Sequence, residues 1–177
     1  MDDISKSKVN ILISSDELQD KIAELGRNLN ELYKDEEVYL VSVLRGAVMF
    51  TADLAKHLKM PVKMEFIRLS SYGSGTVFTG KVNAVDITLP DLNGKNVLIV
   101  EDIIDTGHTA KFLIDFINHN FHTKSLKFCS LLDKKSRREV DVDADYYCFE
   151  IDDKFVVGYG LDYDGYFRNL PYIGYIG

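Results

Sequence analysis

Three carboxylates, Glu101, Asp102 and Asp105, stand within five residues of one another, and a Thr106-Gly107-His108-Thr109 turn follows at once. Clustered carboxylates accept hydrogen bonds from sugar hydroxyls or hold a divalent cation. A turn that opens a helix offers backbone N–H groups and the positive end of the helix dipole to a phosphate. Burying so much negative charge is costly unless a cation or ligand hydroxyls offset it, so a phosphate-plus-sugar site is the favoured reading. The alternative is structural: strands of wound sheets often end in Asp, and Asp105 or Thr106 can simply cap the helix.

The elements that would position these groups can be read on either side. Val97, Leu98, Ile99 and Val100 form an unbroken apolar run, which predicts a strand covered on both faces that stops at the acidic pair. Ala110, Leu113, Ile114, Ile117 and Phe121 then recur at helical spacing. Strand–turn–helix occurs earlier too. Val38–Leu44 is a buried strand that ends at Arg45-Gly46, and Ala47–Leu58 reads as a helix packed through Val48, Ala52, Leu54, Ala55 and Leu58. Before it, Val9–Ser14 is a short strand, and Ser14 to Leu18 starts a helix whose stripe, Leu18, Ile22, Leu25, Leu29 and Leu32, runs to Tyr33.

Val62–Leu69 alternates as a strand, and Val82–Leu89 reads as one returning. The Gly-, Ser- and Thr-rich stretch from Ser70 to Gly80 between them is long for a hairpin connection and suits a lid, although a plain connection is the alternative. Leu126–Leu132 is a further buried strand, leading into the mostly basic segment Asp133–Arg138, which taken alone reads as a solvated loop. Tyr146–Ile151 and Phe155–Val157 are short strands, and the tail Tyr172–Ile176 suits an interface or a core equally. Alternating strands and helices predict an α/β fold with a mainly parallel sheet, where ligands gather beyond the carboxyl ends of the strands. Arg45-Gly46, Glu101-Asp102 and Lys134 mark those ends.

The chain of 177 residues suits a single domain. Its net charge of −7 argues against general attraction to a nucleic-acid backbone. Cys129 and Cys148, both in apolar strand contexts, are read as buried reduced thiols. No run approaches transmembrane length and the first residues carry no apolar signal segment, so the cytoplasm is expected and no membrane partner. No G-x-G-x-x-G follows a strand, which counts against a dinucleotide-binding dehydrogenase. His57, His119 and His122 are read as structural or solvated.

The run V-L-I-V-E-D-I-I-D-T-G-x-T from Val97 to Thr109 closely resembles the phosphoribosyl-pyrophosphate signature of type I phosphoribosyltransferases. Its E-D-I-I-D-T-G form is similar to the 6-oxopurine branch, the hypoxanthine-guanine phosphoribosyltransferases. The likeness extends roughly from Val38 to Gly174. It implies the type I phosphoribosyltransferase fold in one domain over 1–177, a mainly parallel twisted sheet flanked by helices, with a small hood subdomain from about 1–15 and 150–177.

The resemblance also assigns roles. Glu101 and Asp102 would anchor the ribose and a Mg²⁺ water shell, while Asp105, Thr106, Gly107, His108 and Thr109 would cradle the 5′-phosphate. Arg45, Gly46 and Arg168 would hold pyrophosphate, and Ser71-Tyr72 would belong to a mobile loop. Lys134 would bond the purine's exocyclic oxygen, Phe155 would stack on the ring, and Val156 and Leu161 would line the base site. Asp162, beside them, would hold Mg²⁺. Some relatives carry lysine where His108 stands; its imidazole either tunes phosphate affinity or is a bystander. The activity implied is transfer of the phosphoribosyl group to N9 of hypoxanthine or guanine, with Asp105 as general base. Homodimers or homotetramers are usual among such proteins. A regulatory phosphoribosyltransferase-fold protein that binds nucleotide or nucleic acid is the rival class, disfavoured by the acidic charge and the intact Lys134, Phe155 and Asp162. A pyrimidine-using relative is the nearest rival enzyme.

Overall fold

The computed structural model describes residues 8–71 and 82–176. In chain order the elements are β1 (Val9–Ile13), α1 (Ser15–Tyr33), β2 (Val38–Leu44), α2 (Val48–His57), β3 (Val62–Ser71), β4 (Val82–Asp86), β5 (Asn96–Ile104), α3 (His108–Asn120), β6 (Ser125–Asp133), β7 (Tyr146–Glu150), β8 (Val156–Val157) and β9 (Ile173–Ile176). A six-stranded sheet runs β4-β3-β2-β5-β6-β7. Its last five strands are parallel and only β4 is antiparallel, so β2 and β5 lie side by side at the centre. A three-stranded antiparallel sheet, β1-β9-β8, is built from the two ends of the described chain.

Strand alternation divides the core. Val38 and Leu40 of β2, with Leu98 and Val100 of β5, face one cluster with α1, α2 and Ile173 of the small sheet. Tyr39, Val41 and Val43, with Val97 and Ile99, face the other with α3. A strand buried on both faces needs helices above and below, as the continuous apolar runs predict. The helix α1 begins with a reciprocal cap: the Ser14 hydroxyl accepts from Glu17 N–H while the Glu17 carboxylate accepts from Ser14 N–H.

Two predicted packing faces are corrected. Leu32 is 46% exposed and drops out of the buried stripe of α1, which does run to Tyr33. On α2, Val48 and Ala52 face outward while Phe50, Thr51 and Leu54 face in. Polar Thr51 can be buried because its hydroxyl bonds Ser42 Oγ on β2 at 2.7 Å. Strand β4 ends at Asp86, short of the expected Leu89. Cys129 and Cys148 are free and buried, and burial pushes the Cys148 thiol up to about 12. No described helix is long and apolar enough to cross a membrane. The Ser71 side chain, all of Tyr72 and most of the Gly/Ser/Thr-rich stretch lie outside the described residues.

Candidate active site

The central strand does not stop in acid. β5 runs on to Ile104, with Glu101 opposite Ser130, Ile103 opposite Leu132 and Ile104 opposite Asp133 of β6. Strand pairing therefore fixes both carboxylates. Glu101 is 8% exposed, and its Oε2 is buried without a hydrogen-bond partner. Burial first, and the neighbouring Asp102 charge second, hold the Glu101 carboxyl well above the ordinary carboxylate range. Asp102 is half-buried, its Oδ1 accepts from Ile103 N–H at 2.8 Å, and burial raises it too. Two such groups cannot both ionise unless a cation or a set of donors joins them.

The loop after β2 lies directly on this pair. A Cβ on Gly46 would sit 1.5 Å from Asp102 Oδ2, so only glycine permits the approach. The peptide bond Leu44–Arg45 is cis, one residue ahead of the Arg45–Gly46 bond. A cleft of about 230 Å³ opens here, lined by Arg45, Gly46, Glu101, Asp102, Asp162 and Arg168 among others. Arg168 is aimed by its own segment, between β8 and β9: Nη2 lies 2.6 Å from Asp162 Oδ1, Nη1 donates to the Gly160 carbonyl, and Gly160 N–H donates to the Arg168 carbonyl.

A second cleft, of about 320 Å³, shares Glu101, Asp102 and Thr109 with the first and adds Asp105, Thr106, Gly107 and Arg137. Its floor is the turn into α3. The cap residue is Gly107, in the left-handed region at φ 90°, and no side chain caps the helix. Neither Asp105 nor Thr106 therefore serves as the structural cap. Asp105 instead meets Arg137, whose Nε donates to Oδ1 at 2.9 Å. The His108 side chain lines neither cleft and lies with Nε2 3.0 Å from Glu139 Oε2.

The segment after β6 is not a solvated loop. Asp133 and Lys134 are buried, and Lys135–Arg137 form a 3-10 turn. Arg138 donates from Nη1 to the Asp105 carbonyl and from Nη2 to Asp133 Oδ1, while Glu139 N–H bonds the Thr106 carbonyl at 2.9 Å. This segment braces the back of the turn into α3. Arg137, Arg138, Asp133 and Asp153 were not singled out from the sequence. The only signal was a run of basic residues, whose pairing depends on contacts 30 residues away along the chain.

Lys134 Nζ lies 3.9 Å from Asp153 Oδ1. Phe155 is 60% exposed and meets Tyr163 edge-on, with ring centroids 5.3 Å apart, whereas Val156 and Leu161 are buried. Lys134, Phe155, Val156 and Leu161 line neither cleft, although Asp162, next to Leu161 in the chain, lines the first. Among the described residues no three His, Cys, Asp or Glu groups converge to cage a metal. Mg²⁺, which keeps several waters and takes one or two carboxylates plus substrate phosphates, does not need such a cage. The unpartnered, buried Oε2 of Glu101 beside Asp102 fits an ion held in that way. A larger cavity of about 470 Å³, bounded by Leu12, Lys135, Glu150 and Lys154 among others, lies apart from these carboxylates.

Residues 14–164 match the family model described as a phosphoribosyl transferase domain. The chain belongs to the phosphoribosyltransferase family. Among its relatives, the hypoxanthine phosphoribosyltransferase of Salmonella typhimurium is 47% identical over 171 residues, covering 96% of each chain. The hypoxanthine-guanine phosphoribosyltransferase of Bacillus subtilis is 45% identical over 93% of this chain and 91% of its own. The chain is also 47% identical to the bifunctional protein TilS/HprT of Listeria monocytogenes, but spans only 25% of that protein's length. A solved hypoxanthine-guanine phosphoribosyltransferase from Bacillus anthracis superposes with a TM-score of 0.90 at 44% identity, covering 97% of this chain and 100% of that one. The branch expected from E-D-I-I-D-T-G is thus the one this phosphoribosyltransferase belongs to, and its mainly parallel sheet is the family's.

Proposed function

We propose that this chain transfers the 5-phosphoribosyl group of phosphoribosyl pyrophosphate to N9 of hypoxanthine or guanine, releasing pyrophosphate. One observation carries the reading. Glu101, a buried carboxylate with an unpartnered oxygen, lies where two clefts join, one lined by Arg45, Gly46 and Arg168 and the other by the amide-bearing turn Asp105–Thr109. Such a junction suits a ribose with phosphate at one end and pyrophosphate at the other. A solved hypoxanthine phosphoribosyltransferase from Trypanosoma cruzi, in complex with the product IMP, is 38% identical with a TM-score of 0.87 and supports the same reading.

In the reaction N9 bonds to C1, the C1–oxygen bond to pyrophosphate breaks, and its electron pair leaves with the pyrophosphate. Asp105 takes the N7 proton, through the carboxylate oxygen that Arg137 leaves open. Glu101 and Asp102 bind the ribose hydroxyls, and the uncapped start of α3 receives the 5′-phosphate. Arg45 and Arg168 stabilise charge building on the leaving group. Asp162, with Glu101 and Asp102 beside it, would hold Mg²⁺, which would supply further positive charge to the leaving group. Lys134 bonds the purine O6, Phe155 stacks on the ring, and Val156 and Leu161 close its edge. The small sheet with the 150–177 segment forms the hood over the base. A cytoplasmic homodimer or homotetramer belongs to this reading, supported by the free thiols and by exposed Val48, Met49, Met64 and Phe66.

The test is a spectrophotometric assay with phosphoribosyl pyrophosphate, Mg²⁺ and each 6-oxopurine in turn, on the wild type and on Asp105→Ala. Turnover is expected, with kcat falling about 100-fold or more in the variant while the KM for phosphoribosyl pyrophosphate changes little. No turnover with any base sinks the reading, and equal losses in kcat and in phosphoribosyl-pyrophosphate binding make Asp105 a structural residue.

A further inference from the structure

Four charged side chains form a row that starts at the second cleft, which Asp105 and Arg137 line, and runs on through Asp153 to Lys134. Arg137 Nε donates to Asp105 Oδ1 at 2.9 Å, Arg137 Nη1 donates to Asp153 Oδ2 at 3.3 Å, and Asp153 Oδ1 lies 3.9 Å from Lys134 Nζ. The signs alternate, and the two ends are the groups that face the purine in the function proposed above. They come from three separate parts of the chain: the turn after β5, the segment after β6, and the loop after β7. We propose that Arg137 and Asp153 are positioning residues for this reaction, locking Asp105 and Lys134 into one frame that sets where the N7 proton and the O6 oxygen of the base must lie.

The geometry assigns each member a task. A guanidinium is a rigid planar fork, so bonding two carboxylates at once from Nε and Nη1 fixes their mutual direction. Arg137 occupies Oδ1 of Asp105, and among the described residues nothing bonds Oδ2, the oxygen left to receive a proton. Lys134 is buried and its stem cannot swing freely, so Asp153, the anion paired with its tip among the described residues, sets the ammonium's direction. The other charged groups near Asp105 do not compete for this place. Arg138 binds its carbonyl, Glu101 and Asp102 lie across the cleft on β5, and Glu139 pairs with His108.

Folding alone gives little reason for the row. Side-chain exposures are 44% for Arg137, 39% for Asp105 and 56% for Asp153, and exposed pairs of this kind contribute little to stability. Their value is directional, and it grows when a bound base excludes water. A general base displaced by even a fraction of an ångström loses rate steeply.

The inference rests on the proposed reaction, so the experiment separates the two. Wild type, Arg137→Gln, Arg137→Lys and Asp153→Asn are assayed with hypoxanthine and phosphoribosyl pyrophosphate, their folding checked by thermal melts. Arg137→Gln should lower kcat about tenfold or more while the KM for phosphoribosyl pyrophosphate stays within about twofold. Arg137→Lys, which keeps the charge but not the fork, should recover only part of the rate. Asp153→Asn should raise the KM for hypoxanthine about tenfold and leave that for phosphoribosyl pyrophosphate unchanged. An active wild type whose Arg137→Gln keeps its kcat, or whose Asp153→Asn keeps its hypoxanthine KM, overturns the positioning roles alone. Should Arg137→Gln fail to fold, the exposed Asp153 position decides the matter by itself. A wild type with no turnover sinks the reaction instead.

Discussion

Glu101 is held by strand pairing in a state that water would not choose. Its carboxyl is buried, Oε2 lacks a partner, and its pKa stands well above the ordinary 4.5. A group whose folded pKa exceeds its unfolded one binds extra protons in the folded state. Stability from this source is therefore fully present at or below about pH 4.5 and is lost as pH rises through the raised folded value. Glu101→Gln, which cannot ionise, should raise the neutral-pH melting temperature of the ligand-free protein, each kcal/mol relieved giving about 2–4 °C. It should also flatten the fall of melting temperature as pH rises above about 4.5, the side on which a raised carboxyl titrates. Thermal melts without Mg²⁺ check both, and an unchanged slope would mean that Glu101 is not the strained group. The sequence showed that carboxylates were crowded here. It did not show which of them is buried, because that depends on β6 lying alongside.

The phosphate turn belongs to the scale of elements. α3 starts at Gly107, whose φ of 90° few side chains adopt, and a Cβ there would stand 2.8 Å from Val142 Cγ1 and 2.9 Å from Arg138 Cδ. Gly107→Ala should lose about 2 kcal/mol or more from backbone strain and crowding. It should also raise the KM for phosphoribosyl pyrophosphate if, as proposed, the same turn receives the phosphate; urea melts and initial rates check the two effects. Helix and turn were legible beforehand from the spacing of Ala110, Leu113 and Ile117, all of which are buried. The bracing residues Arg138 and Asp133 were not. An arginine that is solvated and one that holds a carbonyl behind a turn look alike until the chain is folded. The α2 face misled for a related reason: Thr51 is buried through its bond to Ser42, a compensation that no hydropathy pattern contains.

Across the whole molecule, the small sheet must sit on the large one for the two halves of the site to meet. Tyr159, 5% exposed, donates its hydroxyl to Asp53 Oδ2 on α2, and that carboxylate also accepts from Gln19 on α1 at 3.0 Å. One residue on, a Cβ on Gly160 would lie 2.0 Å from the Gly46 carbonyl, so the segment after β8 rests directly on the loop after β2. Tyr159→Phe should cost about 1.5–3 kcal/mol, the usual range for a hydrogen bond to a charged group, in equilibrium urea unfolding. An unchanged midpoint would mean that apolar packing alone docks the sheet. By itself the amino-acid sequence determined the alternation of strands and helices, the crowding of carboxylates after the central apolar run, the turn into α3 and the family, because these depend on local periodicity and on residues adjacent in the chain. Only the tertiary structure decided that β2 and β5 are neighbours, that Gly46 lies on Asp102, and that Arg137 joins Asp105 to Asp153. Those contacts bring together side chains far apart in sequence, and their energies depend on burial and pairing that a linear string of residues does not carry.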